Sequence, residues 1–364
     1  MRNPLPLVLA LGLVACGDAT PDAPKAATPK APAAEKKAAA PAGPDAKALA
    51  AQAGALFKPL PEWMGDKKAS KEMIDLGRML YFEPRLSKNH DISCNSCHDL
   101  LTGGDDGNPT SPGHKGQLGG RNSPTSLNAA LHVAQFWDGR AEDVEAQAKG
   151  PVLNPVEMAM PDEATVVKVL ASIPDYPKLF KAAFPGEADP LTYDNMANAI
   201  GAFERGLVTP APFDAFLKGD TAALNPEQLQ GLSTFMSTGC TACHSGVALG
   251  GQGYFKLGMV VPYETKDEGR KEATGNESDK FVFKAPSLRN ITITGPYFHD
   301  GSITSLDNAV KLMAKHQLGK DLKDGEIKEI VAFLGALEGK LDPTYIQKPE
   351  LPAAGPKTPK PDPS

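Results

Sequence analysis

An excess of positive charge is missing from this chain: 38 Lys and Arg face 44 Asp and Glu, for a formal net charge of −6. Most of that acidic excess falls between the two ends, which argues against a nucleic-acid partner. Beyond the N-terminus there is no apolar run long enough to cross a bilayer as a helix. Strand signals are sparse as well. The 364 residues and 41% hydrophobic content leave room for two modest soluble domains. Cysteine is scarce, with five in the whole chain.

Four of those five are spent on two copies of one motif, Cys94-Asn95-Ser96-Cys97-His98 and Cys240-Thr241-Ala242-Cys243-His244. Cys-x-x-Cys-His is the attachment signature of c-type haem. Cys94 with Cys97, and Cys240 with Cys243, would form thioethers to a porphyrin, and His98 and His244 would be the proximal iron ligands. Two covalent haems mean redox chemistry, and an acidic surface suits a basic redox partner.

The fifth cysteine, Cys16, closes a short N-terminal signal. Arg2 supplies a sparse positive region, Leu5 to Ala15 is apolar, and Leu13-Val14-Ala15-Cys16 resembles a bacterial lipobox. Residues 1–15 are therefore expected to be a signal peptide. Residues 16–53 should be a lipidated cysteine followed by an Ala/Pro/Lys tether, which places the protein in the periplasm on a membrane surface. Residues 341–364 form a Pro-rich tail, which can still pack back onto a domain.

The fold class read from the pattern is mostly α, with two c-type cytochrome domains each wrapping one covalent haem. The N-terminal haem domain spans 54–207 and the C-terminal one 208–340, with the seam near Leu207 to Pro212. Apolar spacing predicts helices over Lys71 to Phe82, Thr125 to Ala134 and Glu163 to Leu170, and one capped by Thr192. In the second half, Asn225-Pro226 is a good N-cap and first-position pair for a helix leading into Cys240. Ser305 caps another, and Asp324 opens the last.

The two irons have different neighbourhoods. Met313 sits on an apolar helix face at a suitable distance from His244, either as a sixth ligand or as core filling; His316, one turn on, reads better as a surface residue. The stretch Thr102 to Arg121 holds seven glycines and one strong iron ligand, His114. Glycine frees the backbone, so His114 on a mobile loop either binds iron in one state only or is simply solvated. A peroxidase also needs a carboxylate to move a proton between the two peroxide oxygens. Several acids in the first half qualify, and spacing does not choose among them.

Further stretches carry a resemblance. Phe82-Glu83-Pro84-Arg85-Leu86-Ser87, Gln135-Phe136-Trp137-Asp138-Gly139-Arg140, Pro155-Val156-Glu157-Met158 and Pro296-Tyr297-Phe298-His299-Asp300-Gly301 stand in order around the two motifs. From about Gly77 to Gly339 the chain resembles the bacterial dihaem cytochrome c peroxidases. The resemblance implies that His98 is proximal ligand of the low-potential, peroxidatic haem and His114 its displaceable distal ligand. By the same resemblance Glu157 is the acid–base carboxylate, Gln147 its neighbour, and Trp137 lies between the haems. His244 and Met313 would ligate the high-potential haem, with His299 a supporting residue. It also implies a calcium ion held by oxygens of Asn122, Thr294 and Pro296.

The implied activity is reduction of hydrogen peroxide to water. The implied donor is a small periplasmic cytochrome c or a cupredoxin; a quinol fits less well for want of a third motif. A homodimer is usual in the family. Two alternatives are a dihaem protein that only relays electrons and the related enzyme that matures a tryptophylquinone cofactor. The latter type carries tyrosine where this chain has Met313.

Overall fold

The computed structural model describes residues 43–364. The expected signal peptide, Cys16 and the greater part of the expected tether lie outside the described residues.

Helices dominate, and among the described residues the one sheet is an antiparallel pair, Tyr254–Lys256 against Val282–Lys284. Two hydrophobic clusters organise them. In the first, helix Lys71–Tyr81 packs on Tyr193–Glu204, with Val144–Leu153, Glu163–Ala171 and Tyr176–Ala183 around them. In the second, Pro226–Thr238 packs on Asp324–Gly335. Leu207 belongs to the first cluster and Phe213 to the second.

Both central helix pairs cross at a glycine. A Cβ on Gly77 would lie 1.8 Å from the Ala199 carbonyl oxygen, and one on Gly231 would lie 1.9 Å from that of Glu329. Backbone rather than a flexible side chain fills each space, so the helices must separate to admit a methyl group. Gly231→Ala should therefore cost about 3 kcal/mol of stability, read by denaturant unfolding of the haem-loaded protein. A loss under 0.5 kcal/mol would mean the crossing is loose.

The helix starts are local chemistry. Ser70, Thr192, Asn225 and Ser305 each accept a backbone N–H three residues on, and Gly239 and Gly319 close two of the helices with left-handed backbone. The helix anticipated over Thr125 to Ala134 does not form; only Ala129–Leu131 makes a 3-10 turn. Asn128 is left-handed, with φ 59°, its amide donates to the Leu207 carbonyl, and its side chain is hydrogen-bonded to Thr209. Those long-range bonds take groups that a helix would use.

Both ends of the described chain cross over. Helix Ala46–Leu56, capped by Asp45, replaces the last part of the expected tether and buries Leu49, Ala53 and the following Phe57 in the second cluster. The Pro-rich tail packs on the first. Tyr345 stacks on Phe203 with centroids 5.2 Å apart, Arg78 donates to the carbonyl of Thr344, and Arg85 donates to that of Pro352.

Candidate functional site

The first motif is a single helical turn, Cys94–Cys97, held at its start by the Ser93 amide donating to Ser96 Oγ. The His98 amide donates to the Cys94 carbonyl, and the buried Tyr81 hydroxyl donates to the His98 carbonyl at 2.8 Å. Burial lowers the His98 imidazole pKa, which favours the neutral ring that iron requires. Its Nδ1 is buried without a partner among the described residues. Burial also raises the thiols, Cys97 and Cys240 each to about 11. All four motif cysteines are free, with no disulfide between them. Neutral sulfur in an apolar wall fits an uncharged thioether.

His114 is buried and docked rather than loose. Its amide donates to the Glu157 carbonyl at 2.8 Å, and its Nε2 lies 3.3 Å from the backbone oxygen of Ser364 on the returning tail. Gly113 permits this contact, since a Cβ there would sit 2.0 Å from the Val156 carbonyl oxygen. The structure thus brings His114 and the Pro155–Met158 stretch together.

Burial raises the Glu157 carboxyl pKa, while Arg140 and a hydrogen bond to Asn154 pull it down. Glu157 also lies close enough to Cys97 to push that thiol up by charge. Gln147 stands one helix away, on Val144–Leu153. Arg140 was not singled out from sequence, although it ends the stretch Gln135 to Arg140. It lies 3.5 Å from the Phe136 ring centroid and pairs with Asp138 at 2.9 Å.

At the second motif Cys240, Cys243, His244 and Met313 line one cavity, walled by apolar side chains such as Phe235, Leu288, Ile291 and Val310. His244 Nδ1 lies 3.2 Å from the Leu249 carbonyl, which leaves Nε2 for a metal. Met313 is on helix Leu306–Leu318. These residues fit a haem, which Cys240 and Cys243 would bond and whose iron His244 and Met313 could ligate. His316 turns away: its Nδ1 is 2.9 Å from the Val261 carbonyl and it meets Tyr263 edge-on.

Trp137 comes from the first half of the chain yet lines this second cavity. Its Nε1 donates to the Asn122 carbonyl at 2.9 Å, and its own carbonyl accepts from the Lys284 amide. Asn122, Thr294 and Pro296 border the same cavity. Asn122 donates its side-chain amide to the Asn108 carbonyl, so its Oδ1 is not spent on that bond. His299 is 2% exposed, stacks on Phe283, bonds Thr265 through Nε2 and accepts the Asn122 amide on its carbonyl. Arg121 ties the halves together by pairing with Asp138, Asp267 and Glu272.

Two Cys-x-x-Cys-His sites, each against its own helical core, define a mostly helical c-type cytochrome with two haem sites. The di-haem cytochrome c peroxidase family profile matches residues 71–222. The cytochrome c551 peroxidase of Pseudomonas aeruginosa is 48% identical over 325 residues, covering 87% of this chain and 93% of the relative. The chain belongs to the di-haem cytochrome c peroxidase family and is an oxidoreductase. Membership implies two haems. The methylamine utilization protein MauG of Methylorubrum extorquens is 34% identical over 366 residues, covering 96% of this chain and 99% of that protein. A crystal structure of a MauG-like protein associated with microbial copper homeostasis superposes with a TM-score of 0.71 at 27% identity, covering 80% of this chain and 98% of that one.

Proposed function

We propose that this protein reduces hydrogen peroxide to water at its first motif, drawing electrons through its second from a small periplasmic cytochrome c or a cupredoxin. When bound, the first haem supplies the iron site for peroxide and the second supplies a store for one donor electron. His98 would hold the first iron. His244 and Met313 would hold the second, where thioether sulfur favours the reduced state. Glu157 takes the proton from one peroxide oxygen and returns it to the other, and Gln147 helps orient the peroxide. The observation that carries this reading is the half-buried Glu157, its carboxyl pKa raised by desolvation, its charge felt at Cys97 and its backbone carbonyl holding the docked His114.

Trp137 would assist electron passage, because it spans from the first half into the second cavity. Calcium on Asn122, Thr294 and Pro296 would brace the segment that follows the His114 loop. Anchoring through a lipidated Cys16 at a periplasmic membrane surface is proposed from the lipobox alone, and a homodimer from the resemblance alone. Cofactor maturation is the second reading, favoured by the 34% identity to MauG. It is opposed by Met313, which occupies the cavity where that type carries tyrosine.

The test is oxidation of reduced cytochrome c by hydrogen peroxide, with the enzyme fully oxidised and then half-reduced, calcium present. If His114 gates the first iron, turnover needs half-reduction, and His114→Gly turns over in both states. Silence of the wild type in both states, with two haems confirmed, would move the electron-relay reading ahead.

A further inference from the structure

The second cavity has a cation in its wall with no anion beside it among the described residues. Lys284, at the end of strand Val282–Lys284, is 6% exposed and forms no ion pair among the described residues. Among the described residues no Asp or Glu lines the cavity with it. Its Nζ lies 2.8 Å from His132 Nδ1. Burial and the neighbouring ammonium lower the His132 pKa well below the ordinary value, so the ring is neutral and Nδ1 accepts. The His132 proton then sits on Nε2, which is buried and has no partner among the described residues.

A buried ammonium with no counter-charge costs several kcal/mol, and a neutral imidazole offsets little of that. Such a group calls for a carboxylate. The described residues provide none here, but a haem carries two propionates. Lys284 and His132 line the same cavity as Cys240, Cys243, His244 and Met313, so a porphyrin bonded to those cysteines shares a wall with them.

We propose that Lys284 binds a propionate of the second haem, with His132 as the neutral acceptor that positions it, and that this cation sets the electron affinity of that haem. The inference rests on the reading that Cys240 to His244 carry a haem. Reduction adds one electron to the iron and, without a compensating proton, one negative charge to the cavity. Burial lowers the Lys284 pKa to about 8, so the group is still an ammonium at neutral pH, and that charge stabilises the reduced state. Lys284 also lies where the two halves meet: His132 belongs to the first half, and the Lys284 amide donates to the Trp137 carbonyl at 2.8 Å.

The experiment is spectroelectrochemical titration of the full chain carrying both haems, comparing wild type with Lys284→Gln and Lys284→Arg. The Gln variant should lower the midpoint of the Met313 haem, so that its reduced-to-oxidised ratio at a fixed potential falls about tenfold. The first haem should be unmoved, and Arg should restore most of the shift. Two haems present with an unchanged midpoint in Lys284→Gln would overturn the proposal. Equal shifts in the Gln and Arg variants would overturn it too, since they would mark a packing effect. A wild type holding one haem, with Cys240 and Cys243 still free thiols, would instead defeat the underlying haem reading.

Discussion

Glu157→Gln is expected to lower kcat for peroxide reduction by about 10²- to 10⁴-fold while both haem spectra stay as in the wild type. The amide preserves shape and hydrogen bonding but cannot take up the proton that leaves peroxide. Its counterpart is a pH profile. Proton abstraction needs the carboxylate, so activity rises with pH through the Glu157 pKa and is lost below it. Burial moves that pKa up from the ordinary carboxyl value, and the Arg140 charge holds it down. Arg140→Gln should therefore shift the acid limb of kcat/KM to higher pH, because removing the cation raises the pKa further. Turnover by Glu157→Gln within threefold of wild type would remove this residue from the chemistry. An acid limb that stays put in Arg140→Gln would assign the titration to another group.

What could be read from the sequence was mostly local. Thr192, Asn225 and Ser305 announce their helices because a cap is settled within one turn. The haem motifs are equally local in sequence: each is five consecutive residues, and Cys94–Cys97 forms a single helical turn. The stretch Phe82 to Ser87 shows what such a string hides. Glu83 is fully buried, bonded to Arg85 and to the Tyr176 hydroxyl at 2.6 Å, and Arg85 reaches on to the tail. Its resemblance was legible, whereas the distant contacts that use it were not.

Long-range contacts account for the rest. Thr125 to Ala134 has helical spacing but surrenders its backbone bonds to Leu207 and Gly104. Ala46–Leu56 lies in an Ala-rich run whose composition suggests a tether, and the apolar surface it meets, together with the Asp45 cap, holds it as a helix. Lys284 and His132 stand 152 positions apart, so no window along the chain could pair them. Arg140 gains meaning only when the fold sets it near Glu157.

Asp214→Asn should destabilise the haem-loaded protein by about 3–5 kcal/mol, the largest stability effect expected of a single substitution away from the haem sites. Arg289 is 1% exposed and pairs with Asp214 through two hydrogen bonds, of 2.9 and 3.0 Å. The same carboxylate accepts the backbone amides of Leu60 at 2.7 Å and Ala211 at 2.8 Å. One side chain thus fixes the segment after the first helix, the seam between the two clusters, and the loop that follows strand Val282–Lys284. An asparagine turns an amide toward either the guanidinium or those N–H groups, leaving a buried charge without its partner. Arg289→Met alone should also be costly, since it strands the carboxylate. The double variant Asp214→Asn with Arg289→Met should recover part of the loss, because the isolated charge is gone. Denaturant unfolding of the four proteins measures the coupling. Strictly additive losses would mean that the pair acts only as two separate packing groups, and that the seam is held by the Asn128, Thr209 and Asn290 hydrogen bonds instead.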